Sequence, residues 1–239
     1  MKSMVMAFKV IIDGKPCAGK TTISKAVEAW LLEEYGISTL DAKSYALEKG
    51  FLSGLLRKFT ENEIDTYRDL VYSGVRHTLS YVALELSTWS NSRKYDVLVL
   101  QRSPYSFSFM LEAVKGVSGN TSSYNISGPI YGLIKAWASA LKPDLFIYLT
   151  ADVETLRDRF KHRQYGRDRI HAKMIEEDDS GYIELLKSYM RDDFKVIDST
   201  SNIDKSVRDV ALAIYQAYSE YKSEMGPLPG NSIDRQMKT

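Results

Sequence analysis

Short apolar runs alternate with longer stretches of helical spacing along this chain. Residues 5–12, Val-Met-Ala-Phe-Lys-Val-Ile-Ile, are mostly apolar over the length of a buried strand. Beyond a glycine-bearing break, Ile23, Ala26, Val27, Trp30 and Leu31 recur at helical intervals, and Gly36 offers a C-terminal cap. Residues 37–40 read as a short second strand ending at Asp41. The spacing predicts a helix over 43–58 and a long one over 64–89, built on Ile64, Tyr67, Leu70, Val71, Val75, Leu79, Val82 and Leu86 and weakened by Gly74. Residues 95–100 predict a central strand that delivers Gln101, Arg102 and Ser103 to the sheet edge where ligands gather. A helix behind Pro104, a Gly/Ser/Asn-rich loop over 115–128 and a helix carrying Ile130, Leu133, Ile134 and Trp137 follow. Residues 144–149 make a fourth strand, 152–163 a helix, 172–191 another helix and 194–198 a fifth strand. Val207, Val210, Ala211, Ile214 and Tyr218 mark a last helix, and the tail from 225 is expected to fray.

Five strands separated by helices imply one parallel sheet covered on both faces, a three-layer α/β fold. A single domain over 1–224 with a flexible tail over 225–239 accounts for the chain. Composition changes this picture mainly by exclusion. A formal net charge of +1 gives no global drive toward a nucleic acid polymer or a membrane surface. The one cysteine, Cys17, cannot form an intramolecular disulfide, which favours a reducing setting. The first nine residues are too polar for a signal peptide, and no run approaches the length that spans a bilayer. A soluble, cytoplasmic protein is expected.

The break after the first strand carries the chemistry. Gly14-Lys15-Pro16-Cys17-Ala18-Gly19-Lys20-Thr21 fits the phosphate-loop pattern GxxxxGK[ST], and Thr22 follows, so the three-layer fold is expected to be of the phosphate-loop nucleotide-hydrolase type. The two glycines let the backbone turn so that main-chain N–H groups converge on phosphate oxygens at the positive end of the next helix. Lys20 would reach the β- and γ-phosphates of ATP, and the Thr21 hydroxyl would bind the bridging magnesium ion, with Asp13 adding a contact through water. Gly14, Lys15, Cys17, Ala18, Gly19, Lys20, Thr21 and Thr22 are thus the expected ATP-binding residues. His77, His162 and His171 have no ligand spacing with cysteine, so magnesium is the metal implied.

Cations elsewhere extend the site. Arg102 ends the third strand, Arg76 lies in the long helix, and the segment 157–170 holds Arg157, Arg159, Arg163, Arg167 and Arg169. Phosphoryl transfer between two nucleotides gathers negative charge, and cations around the transferred group are its main catalytic device. The order of these parts resembles thymidylate kinases, within the wider family of nucleoside monophosphate and deoxynucleoside kinases. The likeness rests on Ile12-Asp13-Gly14 through Thr22, on Arg76, on Gln101-Arg102, on Pro143-Asp144-Leu145-Phe146-Ile147-Tyr148-Leu149, on Asp168-Arg169-Ile170, on Tyr189 and on Val196-Ile197-Asp198-Ser199.

That resemblance implies transfer from ATP-Mg to a nucleoside monophosphate, dTMP giving dTDP, with a homodimer formed through the long helix. It implies catalytic roles for Lys20, Arg102, Arg163, Arg167 and Arg169, in a lid over about 157–170. Arg157 or Arg159 would lie near the adenine, and Asp13, Asp41, Arg76, Arg102 and Tyr105 would face the acceptor. Two departures bear on the substrate. Pro16 and Cys17 stand where thymidylate kinases carry an aspartate, and Gln101 stands where an acid precedes the arginine. Gln101-Arg102-Ser103 also resembles the Glu-Arg-Ser of deoxynucleoside kinases, so a deoxynucleoside acceptor remains open, as does a nucleotide-binding protein with little kinase activity. If Gln101 is a neutral replacement, returning an acid there leaves activity equal or higher. Glu176-Glu177-Asp178-Asp179 is expected to form an exposed helix face.

Overall fold

Four of the five strands marked by the sequence are largely buried on both faces, the fifth, over 194–198, is mostly exposed, and all five pair into one parallel sheet. A computed structural model describes residues 7–42, 94–102, 143–163 and 169–225. The strands β1 (Phe8–Gly14), β2 (Thr39–Asp41), β3 (Val97–Gln101), β4 (Leu145–Thr150) and β5 (Phe194–Asp198) stand in the order β2-β3-β1-β4-β5. The chain thus builds outward on both sides of β1, which places the β1 carboxyl end where ligands bind in such sheets.

The strand period of two sorts the core into two layers. Val10 and Ile12 of β1, Val97 and Val99 of β3, and Ile147 and Leu149 of β4 pack under α1 (Lys20–Tyr35) and α5 (Ile203–Met225) through Ile23, Val27, Leu31, Val210 and Ile214. Ile11, Leu98, Leu100, Phe146 and Tyr148 have the opposite parity and meet Tyr182, Leu186 and Met190 of α4 (Ser180–Met190). This is the expected three-layer arrangement. Two further helices among the described residues, α2 (Val153–Lys161) and α3 (Arg169–Glu176), pack against each other beside the carboxyl edge of the sheet.

Most local signals match their elements. Gly36 closes α1 with φ 65°, its N–H donating to Leu32 O at 3.0 Å while Ile37 N donates to Leu31 O at 3.1 Å. Asp152 caps α2 by accepting from Thr155 N at 2.7 Å. The helix expected over 172–191 is instead two, α3 and α4; of the acidic run only Glu176 is helical, as the exposed last residue of α3, and residues 177–179 are the junction. Asp178 accepts from the backbone and the hydroxyl of Ser180, at 3.0 and 2.6 Å. These bonds compete with helix propagation and favour a fresh start. Hydrogen bonds from Ser180 hold the Asp178 carboxyl below its ordinary range.

No helix among the described residues is long and apolar enough to cross a membrane. The helices expected over 43–58, 64–89, 104–114 and around 130–137, the loop 115–128 and the tail from 226 lie outside the described residues. So do Arg76, Tyr105, Arg167 and Asp168.

Candidate nucleotide site

The turn from β1 into α1 is set by backbone geometry. Gly14 has φ 146°, and a Cβ there would lie 2.3 Å from the Leu149 carbonyl oxygen, so glycine alone lets β1 lie against β4 at this point. Gly19 has φ 85° and starts α1. Cys17 and Arg102 are non-glycine residues in the same left-handed region, with φ 65° and 71°. Such strained positions concentrate at functional sites, and both lie at the carboxyl edge of the sheet. Ala18 is buried in the core beneath the loop. The Ser199 hydroxyl, after β5, lies 3.0 Å from Ala18 O and 2.8 Å from Thr150 O, fastening the loop to the ends of β4 and β5.

The Lys20 ammonium donates to Gly14 O at 2.7 Å and Lys15 O at 2.6 Å, so it lies across the loop. Thr21 and Thr22 open to solvent. The Thr21 hydroxyl donates to Gln101 Oε1 at 2.9 Å. Gln101 Nε2 donates to Asp41 Oδ2 at 2.8 Å, and the Ser24 hydroxyl donates to the same oxygen at 2.8 Å. Donor and acceptor chemistry fixes the orientation of this amide, because an ionised carboxylate can only accept. Three elements thereby join in one chain of hydrogen bonds, with Ser24 and Thr21 on α1, Gln101 ending β3 and Asp41 ending β2. Asp41 and Gln101 are 1% and 4% exposed.

Asp13 and Lys15 turn elsewhere. Asp13 shares the parity of Ile11 and therefore faces α4. Its Oδ1 accepts from Gly14 N at 2.8 Å and its Oδ2 from the Tyr182 hydroxyl at 3.1 Å. The Lys15 ammonium donates to Glu177 O at 2.6 Å and Ile175 O at 3.4 Å, and lies 3.6 Å from Asp179 Oδ1. Asp179 also accepts from the Tyr148 hydroxyl at 2.9 Å. Burial, followed by the Asp179 and Asp13 charges, raises the Tyr148 pKa far above the usual phenol range, so this hydroxyl stays a donor.

The α2 arginines divide by partner. Arg159 donates to Ser199 O at 2.7 Å, Thr200 O at 3.3 Å and Cys17 O at 3.4 Å, spanning the phosphate loop and the turn after β5. Arg157, one of the two arginines expected near the adenine, forms a two-pronged pair with Glu176 of α3 instead, its Nε lying 2.7 Å from Oε1. Arg163 is partly exposed, yet its Nη1 is buried with no hydrogen-bond partner among the described residues. A buried cationic donor left unpaired is costly, and an anionic group would satisfy it. Arg169 opens α3 and is exposed. Sequence reasoning missed Ser199, Tyr182 and Asp179 as parts of this region. Strand parity could have assigned a face to Asp13, whereas no local signal links Lys15 to a helix 160 residues away.

The donor set fits magnesium. The Thr21 hydroxyl and the Asp41 carboxylate are hard oxygen ligands. Among the described residues no group of three or more His, Cys, Asp or Glu side chains could hold a metal ion, and an ion carried chiefly by phosphates and water needs none.

No family model matches the chain, and no curated protein matches it in sequence. Among solved structures, deoxyadenosine kinase from M. mycoides with bound dATP is similar at a TM-score of 0.55, covering 90% of this chain and 100% of that one at 16% identity. With its five-stranded parallel sheet and its glycine-turned loop between β1 and α1, the chain has a three-layer α/β fold similar to that of this structure.

Proposed function

We propose that the chain transfers the γ-phosphoryl group of ATP to a nucleoside monophosphate, dTMP first among them. The observation that carries this reading is the hydrogen-bonded chain from Thr21 through Gln101 to Asp41. It joins the hydroxyl suited to magnesium with a buried carboxylate at the acceptor side of the sheet. Main-chain N–H groups of the loop between Gly14 and Thr21 cradle the donor phosphates, and Lys20 exchanges the Gly14 and Lys15 carbonyls for phosphate oxygens. Magnesium would be held by the Thr21 hydroxyl and would supply charge neutralisation for the donor phosphates. Arg102, Arg163, Arg167 and Arg169 offset the charge of the transferred group, while Arg159 rather than Arg157 borders the adenine. An acceptor phosphate is already ionised near neutral pH, so positioning and neutralisation matter more than a strong base. A neutral amide at position 101 suits that requirement.

A second reading is favoured by one feature. Asp41 places a buried carboxylate at the end of β2, where it could take the proton of a nucleoside hydroxyl. The similar solved structure is a deoxyadenosine kinase. A coupled assay with ATP-Mg against a panel of deoxynucleosides and their monophosphates separates the two. Turnover of monophosphates, dTMP best, supports the first, and turnover of nucleosides alone replaces it with the second. ATP binding without turnover of any acceptor removes both. Lys20→Ala is expected to abolish turnover, and a near-normal rate would contradict its role.

A further inference from the structure

The second residue of a phosphate loop contributes its backbone to the phosphate site, and nothing in the motif calls for a charged side chain there. Here that side chain is a lysine 6% exposed, with its ammonium directed away from the loop opening. It reaches the end of α3, where the last carbonyls of a helix lack intrahelical donors. The donations to Ile175 O and Glu177 O satisfy two of these, and the cation suits the negative end of the helix dipole. Asp179, itself held by the Tyr148 hydroxyl, lies on the far side of the ammonium. Other charges face this cluster: Asp13 from β1, bound to Tyr182 of α4 and felt by Tyr148, and the Glu176 and Asp178 carboxylates, which feel the Lys15 charge, while the Glu177 carboxylate pairs with Lys173 at 2.8 Å.

The same residue touches the loop cation through its other polar group. Lys15 O accepts from the Lys20 ammonium at 2.6 Å and from Ala18 N at 3.3 Å. One residue therefore connects Lys20, through its carbonyl, with the carboxyl end of α3, through its side chain. We propose that Lys15 is a positioning residue that couples the phosphate loop to α3, so that a nucleotide drawing Lys20 away from Lys15 O is felt at the α3 end. A buried side chain satisfied by three partners resists moving independently of the peptide that carries it, so a shift of that peptide is transmitted. The coupling rests on the nucleotide reading for its ligand, but the anchor does not.

Amide hydrogen exchange on the full chain, with and without ATP-Mg, tests both parts. In Lys15→Met, which keeps length and apolar volume, exchange at residues 172–177 is expected to quicken roughly tenfold or more in the free protein, from the loss of a charged hydrogen-bond donor to the helix end. In the wild type, ATP-Mg changes exchange at these residues. In Lys15→Met that response disappears while amides 14–22 still gain protection. Lys15→Arg, which keeps a cationic donor, restores part of the response, and a purely structural role would not make the response follow the donor. Asp179→Asn is the second variant should Lys15→Met fail to fold; it leaves the tyrosine an acceptor and is expected to quicken exchange at 172–177 several-fold. Wild-type exchange at 172–177 in Lys15→Met, or an undiminished ATP response there, overturns the proposal. Absence of protection at 14–22 in the wild type removes the nucleotide reading instead, and the free-state comparison then decides the anchor on its own.

Discussion

At the scale of single residues, Gln101 is the position whose meaning changed most. As a departure from an acid-arginine pair it reads as a loss, and an acid returned there is expected to leave activity equal or higher. Its neighbours argue the reverse. The amide meets a hydroxyl on one side and the Asp41 carboxylate on the other, 2.8 Å away. An acid in its place would set two carboxylates against each other in a buried site, where one must hold a proton. Gln101→Glu is therefore expected to lower both activity and stability. The sign with pH follows from linkage. The shared proton raises a folded-state pKa above its unfolded value, so stability falls as pH rises through the carboxyl range. A raise of 1–3 pH units corresponds to about 1–4 kcal/mol. Urea unfolding at pH 5 and pH 8 checks this, and a deficit that does not widen with pH would refute it. Adding Asp41→Asn should recover much of the loss, because an amide again faces a carboxylate. Asp41 itself was legible as a strand-end acid, but its bond to Gln101 depends on β2 lying beside β3, which no local pattern encodes.

At the scale of elements, the period of the apolar residues located the five strands and α1, because burial on a sheet face or helix face repeats every 2 or 3.6 residues. It failed between α3 and α4. There Met174, Ile175, Tyr182 and Leu186 continue a plausible helical face, and only the Asp178–Ser180 turn breaks it. Within α2, sequence cannot choose between Arg157 and Arg159, which lie on different faces of one short helix. Arg157→Ala removes an exposed pair with Glu176 and is expected to leave melting temperature and nucleotide affinity nearly unchanged. Arg159→Ala strips donors from three carbonyls around the loop and should weaken ATP binding roughly tenfold. Isothermal titration of both variants decides the matter, and equal effects would remove the distinction.

A second element-scale link ties α5 to the start of β3. Asp96 accepts from Ser38 N and Oγ at 3.0 and 2.6 Å and from the Tyr218 hydroxyl at 2.9 Å. Burial acts against the charge, but the bonds from Ser38 and Tyr218 prevail and hold the carboxyl below its ordinary range. A depressed folded pKa contributes stability above the unfolded value that is lost as pH falls through the folded one. Asp96→Asn should be less stable than the wild type at pH 7, with the gap closing on acidification below pH 4. Thermal unfolding across that range tests it, and a gap independent of pH would show that the charge contributes nothing.

At the scale of the whole molecule, the site exists because four strand ends and one loop meet at a single edge of the sheet. The alternation of elements made that architecture legible, whereas strand order came only with the structure. Gly14 shows how closely loop and sheet depend on each other. It is the last residue of β1, paired with Leu149 of β4, and the first glycine of the phosphate loop. Gly14→Ala would bring a methyl group to 2.3 Å from the Leu149 carbonyl oxygen at φ 146°, and relief would require the two central strands to part. Gly36→Ala is the control: its φ of 65° is also positive, but no atom lies within 4 Å of the added carbon. The control isolates backbone strain, worth about 1 kcal/mol. Gly14→Ala adds the clash to that strain and is expected to cost about 3–5 kcal/mol, in the range reserved for core disruption. Because the displaced residue opens the loop, ATP affinity should fall with it, whereas Gly36→Ala should leave affinity untouched. Denaturant midpoints and nucleotide titrations on the pair provide the check. Equal stability losses in the two variants would mean that β1 and β4 can separate at this point without disturbing the core, and that the loop's first glycine is not built into the sheet.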